Sequence, residues 1–137
     1  MQPSAFLTRL LEATNAHDLE QIVDCFAPDY VNRTPCHPAR GFTGTDQVRR
    51  NWAAILAGVP DLVATVVRES TSGDEVWSEW EMRGTRRDRA PHLMRGVMIF
   101  QVEGEQARSC HFYLEPVAGD EQTADGFVST LTAGGAS

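Results

Sequence analysis

Three side chains able to take part in proton transfer stand at alternate positions near the end of the sequence. In RSCHFYLEP, residues 108–116, these are His111, Tyr113 and Glu115. Successive side chains of a β-strand point to opposite faces, so the three would share one face. A carboxylate with an imidazole and a phenol beside it is a combination that suits general acid/base catalysis.

The pattern alone leaves two orientations of this strand open. Periodicity favours the apolar set Cys110, Phe112 and Leu114 on the inside, which would leave the polar set on the outer surface. In the other orientation the polar set lines a cavity, where desolvation makes a carboxyl group hold its proton more tightly. Only the second orientation makes this strand a catalytic element.

The elements that must position these residues change type along the chain. Helical spacing of apolar residues follows Ser4, a candidate N-cap, and begins again at Asp18, where Gln21 stands in capping-box position. A third helix is expected from Thr45, with Gly58 and a proline ending it. The Pro- and Gly-rich segment between the second and third helices should be irregular, with at most a short strand at 30–32.

From residue 62 onward the apolar period becomes two, which predicts four long strands joined by turns. Helices followed by antiparallel strands indicate an α+β domain, and long strands must twist and coil. We therefore expect a cone-shaped curved antiparallel sheet wrapped around the N-terminal helices. Residues 1–118 should form this single domain, and residues 119–137 a flexible C-terminal tail.

Composition excludes several classes of function. A net charge of −7 and a pI near 5.0 argue against a nucleic-acid partner, which such a surface would repel. We find no apolar run long enough for a membrane span and no signal peptide, so a cytoplasmic protein without a membrane partner is expected.

The three cysteines are odd in number and widely spaced, which does not resemble a disulfide framework. The Cys36-His37 and Cys110-His111 dipeptides direct adjacent side chains apart, so no metal site is expected.

Besides the order of these elements, four segments of the sequence are characteristic. They are NAHDLEQIVDCFAPDYVNRTP, GFTGTDQVRRNWAAILAGVPDLVATVV, GDEVWSEWEMRGT and RGVMIFQVEGEQARSCHFYLEPV. Over about residues 5–117, the chain resembles the SnoaL-like polyketide cyclase branch of the nuclear transport factor 2-like superfamily. The resemblance implies the cone fold, also described as a cystatin-like α+β barrel.

For function, the resemblance implies a small, mostly apolar, carbonyl-bearing ligand in the cone, often in a homodimer and without a metal or organic cofactor. In such cyclases a carboxylate near the end of the last strand serves as acid and base in an intramolecular aldol closure. The family pattern is an aromatic residue followed four positions later by Asp. This chain has His111 and Glu115 at those positions, so both depart from the pattern. The resemblance nevertheless favours the orientation with the polar row inside, and it implies Glu115 as the base with His111 and Tyr113 assisting it.

Two better-defined relatives are not matched. Ketosteroid isomerases need an acid where this chain has Thr34 and a second where it has Met98. Limonene-type epoxide hydrolases need an Arg and an Asp where this chain has Trp80 and Met82. Neither mechanism is expected.

The residues expected to contact the ligand lie on the strands and on the third helix. Arg95 is expected to pair with Glu115 on the neighbouring strand, and His37 and His92 are expected in loops near the cavity mouth. The expected ligand-binding residues are Tyr30, Asn32, Trp52, Ser78, Trp80, Met82, Arg95 and Met98.

Two functions remain open at the level of the sequence. The first is a cofactor-independent acid/base enzyme of the cyclase or isomerase type. The second is a non-catalytic module that binds a hydrophobic small molecule or a protein partner. For either one, Trp77 stands among charged residues on the outer row of its strand, which predicts a homodimer through the outer sheet face.

Overall fold

The computed structural model of the chain describes residues 3–119 and 121–133. In chain order the described elements are α1 (Pro3–Asn15), α2 (Leu19–Asp24), β1 (Phe26–Arg33), a 3₁₀ helix (Pro38–Arg40), β2 (Phe42–Thr43), α3 (Thr45–Gly58), β3 (Val63–Ser72), β4 (Glu75–Thr85), β5 (Pro91–Glu103), β6 (Gln106–Pro116) and α4 (Ala124–Thr132).

The strands form one curved sheet in the order β2-β1-β6-β5-β4-β3. Neighbouring strands are antiparallel, except that β1 runs parallel to β6. The ladders contain irregularities at Val66/Arg68 and at Gln101/Val102, and such bulges increase the local twist. The predicted α+β class, with helices first and a coiled sheet second, is confirmed.

Local signals explain where the helices begin. Asp18 caps α2, because its side chain accepts a hydrogen bond of 3.2 Å from the backbone N–H of Gln21. The third helix begins at Thr45 and ends at Gly58, as expected. The expectation for the first helix was wrong by a few residues, because α1 already begins at Pro3 and Ser4 lies inside it. Proline is tolerated in a first turn, where its missing N–H would have had no partner.

The core lies between the helices and the concave face of the sheet. In β4 the row Val76, Ser78, Trp80 and Met82 is buried, as expected for the inner face. The ring of Phe6 in α1 meets Phe100 of β5 edge-on at 5.1 Å. These contacts fix which side of each central strand faces inward.

Asn15 ties the end of α1 to the edge of the sheet. Its side-chain amide donates to the carbonyl of Ala64 at 2.9 Å and accepts from the N–H of Ala64 at 2.7 Å. The amide thus pairs with β3 as a neighbouring strand would. This pair holds the helix against the sheet from its C-terminal end.

Two segments differ from expectation. The strand expected near residues 30–32 extends over Phe26–Arg33, because β6 pairs with both of its ends, at Phe26 and at residues 31–33. The segment expected to be a loose tail contains α4, whose N-cap Thr123 accepts from the N–H of Gly126 at 3.2 Å.

Among the described residues, no helix is both long and apolar enough to span a membrane.

Gly96 allows β5 and β6 to approach closely. Its φ is +155°, and a Cβ built there would lie 2.1 Å from the carbonyl oxygen of Tyr113 and 2.7 Å from the Cα of Leu114. Both obstacles are backbone atoms, which cannot rotate away as a side chain can. A larger residue would therefore force the two strands apart.

We predict that Gly96→Ala lowers the free energy of unfolding by about 2–4 kcal/mol, the range of a strained backbone combined with overpacking. Urea denaturation provides the measurement. Gly58→Ala is the control, because nothing lies within 4 Å of a Cβ at that position; it should change stability by less than about 0.5 kcal/mol. Equal effects of the two substitutions would contradict the close approach.

Candidate functional site

An apolar cavity of about 240 Å³ lies between the concave face of the sheet and the helices. Most of its wall is aliphatic, aromatic or thioether side chains. Among them are Trp52 and Ile55 of α3, Met94 and Met98 of β5, and Phe112 and Leu114 of β6. The volume lies below the usual range of about 300–1,000 Å³ for drug-sized ligands, so the cavity suits a smaller molecule.

The last strand presents its apolar row to this cavity. Phe112 and Leu114 line the wall, and Cys110 is buried beneath it. His111 is exposed, and Tyr113 is 38% exposed on the opposite face. The inward orientation of His111, Tyr113 and Glu115, on which their catalytic assignment depended, is therefore wrong: the helices cover the concave face, and apolar side chains gain more from that burial.

Glu115 instead holds the loop that follows β1. Its Oε1 lies 3.0 Å from Nε2 of His37 and 3.5 Å from Nη1 of Arg40. Arg40 in turn lines the cavity. Arg95, the expected partner of Glu115, contacts a different carboxylate: its Nε lies 2.9 Å from Oε2 of Glu81. Glu81, Arg95 and Glu115 are register partners across β4, β5 and β6, and they share the outer face of the sheet.

The remaining residues expected to bind a ligand separate into three groups. Tyr30, Asn32, Trp52, Met82 and Met98 line the cavity. Ser78 and Trp80 face inward but are used in the core: the Trp80 indole donates to Ser78 Oγ at 2.8 Å, and Ser78 donates to the Met98 carbonyl at 2.7 Å. Arg95 lies outside the cavity, on the exposed face.

A buried chain of neutral polar groups runs along the β1 side of the cavity. The Tyr30 hydroxyl donates to Asn32 Oδ1 at 2.8 Å, and Asn32 Nδ2 donates to Thr34 Oγ1 at 3.3 Å. Burial raises the pKa of Tyr30 well above its usual value, with the neighbouring Cys110 contributing, so the phenol stays protonated. Burial also raises the pKa of the Cys110 thiol to about 12, which keeps it neutral.

Two ionisable side chains line the cavity besides these buried groups: Arg40 and His92. His92 had been expected in a loop, but β5 begins at Pro91, one residue before it. Its phase along β5 matches Met94 and Met98, which also line the cavity. Within the described ranges, no hydrogen bond or ion pair joins the His92 ring to another side chain.

Neither carboxylates nor metal-ligand clusters contribute to the cavity wall in the described part of the chain. No Asp or Glu is among the lining residues. Nor do three or more His, Cys, Asp or Glu side chains within those residues come together as a metal site would require. Of the Cys-His dipeptides, Cys36 is exposed while Cys110 is buried.

Sequence comparison assigns the family. The sequence profile of the SnoaL-like domain matches residues 7–110. The chain belongs to the SnoaL-like domain family. No protein with a curated description matches the chain.

Solved structures of SnoaL-like and related proteins share the fold. IdmH from Streptomyces antibioticus, a candidate polyketide cyclase, has 25% identity and a TM-score of 0.72, and the match covers 84% of this chain and 93% of IdmH. A candidate SnoaL-like polyketide cyclase from Jannaschia sp. CCS1 has 16% identity and a TM-score of 0.70, covering 83% and 85%. A Catenulispora acidiphila protein with a ketosteroid isomerase-like fold, solved with trimethylamine, has 19% identity and a TM-score of 0.69, covering 82% and 87%.

Proposed function

We propose that this SnoaL-like protein is an acid/base enzyme that binds a small, mostly apolar carbonyl compound in the cavity and transfers protons on it. The observation that carries the proposal is His92, an imidazole in an apolar wall whose ring makes no described hydrogen bond or ion pair. Imidazole exchanges protons near neutral pH, so it suits a step that both takes and returns one. The likeness to IdmH, a candidate polyketide cyclase, supports a carbonyl substrate.

The reacting end of the substrate would lie where β5 begins and β6 ends. Met94 of β5 pairs with Pro116 of β6, and His92 stands two positions before Met94. Arg40 reaches the same end, because Glu115, next to Pro116, holds its guanidinium. Both side chains are therefore directed toward one end of the cavity.

The proposed chemistry divides between these two groups. His92 removes a proton from the carbon next to the carbonyl, and the Arg40 guanidinium donates hydrogen bonds to the enolate oxygen that forms. If the enolate is conjugated with a double bond, return of the proton from His92 to the far carbon gives isomerisation. If the enolate attacks a second carbonyl in the same molecule, a C–C bond forms and the new alkoxide takes the proton from His92, which gives cyclisation. Neither course needs an organic cofactor, because proton transfer is the only step that the side chains supply.

A second candidate function is non-catalytic binding of a hydrophobic small molecule. It is favoured by the finding that no described carboxylate lines the cavity. The carboxylate of the polyketide cyclase pattern, Glu115, is held outside by His37 and Arg40. A cavity that lacks the expected base is what a binding module would have.

Exchange of hydrogen for deuterium separates the two candidates without knowledge of the natural substrate. The probe is 2-acetylnaphthalene, whose acetyl protons exchange through the enolate, followed in D₂O by proton NMR. We predict exchange well above the buffer rate and a loss of about 100-fold or more in His92→Gln. The matched control is His111→Gln, the same substitution on the outer face of the sheet, which should leave the rate unchanged.

Each other outcome has a definite meaning. Binding of the ketone without exchange would contradict the enzyme and favour the binding module. Loss of exchange in His111→Gln rather than in His92→Gln would show that proton transfer takes place at the outer row of β6.

We also propose that two copies pair through the outer face of the sheet. Trp77 is 48% exposed there and lies opposite Ile99, while Tyr113 lies opposite Val97 on the next strand pair. The Trp77 indole N–H already donates to Glu75 at 2.7 Å, so the ring face is available for packing.

The charges that surround these residues support a two-fold arrangement. Arg68 pairs with Glu79 at 2.8 Å, and Glu81 pairs with Arg83 at 2.6 Å and with Arg95. A patch with an apolar centre and both signs of charge around it is complementary to itself, as an isologous interface requires.

Trp77→Glu should convert a dimer into a monomer in light scattering at micromolar concentration. Loss of a central aromatic anchor costs about 2 kcal/mol or more, and two-fold symmetry counts that loss twice. Val128→Glu is the control, since Val128 is 52% exposed but lies on α4. A wild-type monomer, or a dimer that resists Glu at position 77, would show that the outer face is not the interface.

A further inference from the structure

The buried polar chain has hydrogen-bonding capacity that the described residues do not use. The Tyr30 hydroxyl gives its one proton to Asn32, and Asn32 gives one of its two amide protons to Thr34. The second amide proton of Asn32 and the hydroxyl proton of Thr34 have no acceptor among the side chains and backbone groups described. Two donors are therefore free, and both belong to residues that line the cavity.

These donors are well shielded from water. Tyr30, Asn32 and Thr34 are 3%, 8% and 5% exposed. Each of the two donor atoms already has one partner, but its remaining proton has none, and a ligand oxygen that accepts it here meets little competition from water. Tyr30 and Asn32 lie on β1 and Thr34 directly follows it, all three in the interior, whereas the Arg40 side chain is 60% exposed.

The chemistry of the chain limits the ligand group that fits it. Because the free capacity consists of donors, the group must offer an acceptor oxygen. Because no cation lies within the chain itself, a carboxylate or phosphate in contact with it would be desolvated without a counter-charge, which is costly. A neutral carbonyl, ether or hydroxyl oxygen meets both conditions.

We propose that Asn32 and Thr34 form an inner subsite for a neutral acceptor oxygen, so that the substrate is a small apolar compound oxygenated at both ends. The outer oxygen, at the reacting carbonyl near His92, rests on the proposed function above. The inner oxygen rests on the Asn32 and Thr34 donors alone. The two parts of the substrate can therefore be tested apart.

Two ketones that differ only at the inner end provide the test. The first is 2-acetyl-6-methoxynaphthalene, and the second is 2-acetyl-6-ethylnaphthalene, which replaces the ether oxygen by carbon. Affinity is measured by quenching of tryptophan fluorescence, since Trp52 lines the cavity. The methoxy ketone should bind about 5-fold more tightly, the value of one or two net hydrogen bonds.

Substitutions at position 34 assign the difference to the subsite. Thr34→Val keeps the shape but removes the hydroxyl, and it should reduce the preference for the methoxy ketone to about twofold or less. Thr34→Ser keeps the hydroxyl and should retain the preference. Circular dichroism of both variants establishes that they fold, and the ethyl ketone, which cannot accept the bond, should bind all three proteins alike.

The outcomes separate this inference from the proposed function. Equal affinity of the two ketones for the wild type, or a preference that Thr34→Val leaves undiminished, would overturn the subsite even if deuterium exchange occurs. A preference that depends on Thr34 without any exchange would support the subsite and contradict the enzyme. Failure of both ketones to bind would contradict the cavity as the ligand site, and the subsite with it.

Discussion

The packing of α1 against the concave face of the sheet decides which side chains the cavity receives. Phe6 and Leu10 of this helix are buried and need apolar partners, which Trp80 and Phe100 supply. Once those two residues face inward, the alternation of side chains along each strand fixes the direction of the rest. The cavity is the space beside this core that the helices leave unfilled.

The same constraint explains the distribution of charge. The chain carries a net charge of −7, yet no carboxylate lines the cavity within the described residues. Acidic side chains sit on the outer rows, where they pair with arginines, and Glu115 pairs with Arg40 at the rim. The cavity instead presents neutral donors on its β1 side together with one imidazole and one guanidinium. These donors complement the acceptor oxygen of the carbonyl compound that we propose as the ligand.

Much of the fold could be predicted from the sequence because its signals are local. Asp18 as a cap and the alternation that buries Val76 and Trp80 needed no tertiary information. The full length of β1 was not predictable from its Pro-containing sequence, because pairing with the distant β6 sets it. The helix α4 was missed because its segment is rich in small residues, although Thr123 stands in a position typical of an N-cap.

The site was harder to predict than the fold. On β6, periodicity indicated that the apolar row faces inward, and the likeness to polyketide cyclases indicated the polar row; the burial of Cys110 and Leu114 decides for periodicity. His92 was assigned to a loop because Pro91 precedes it. Counting back in steps of two from Met98 through Met94 would have placed it on the inner face. The donors of Asn32 and Thr34 depend on hydrogen-bond directions, which no sequence pattern contains.

We expect the proposed ligand to bind at the concave face and not at the polar outer row of β6. Three of the four methionines, Met82, Met94 and Met98, line the cavity. NMR of the protein labelled with ¹³C at its methionine methyl groups, titrated with 2-acetylnaphthalene, tests the claim directly. These three methyl signals should shift and show contacts with the protons of the naphthalene ring. Unchanged methionine signals, with shifts at His111 and Tyr113 instead, would contradict it.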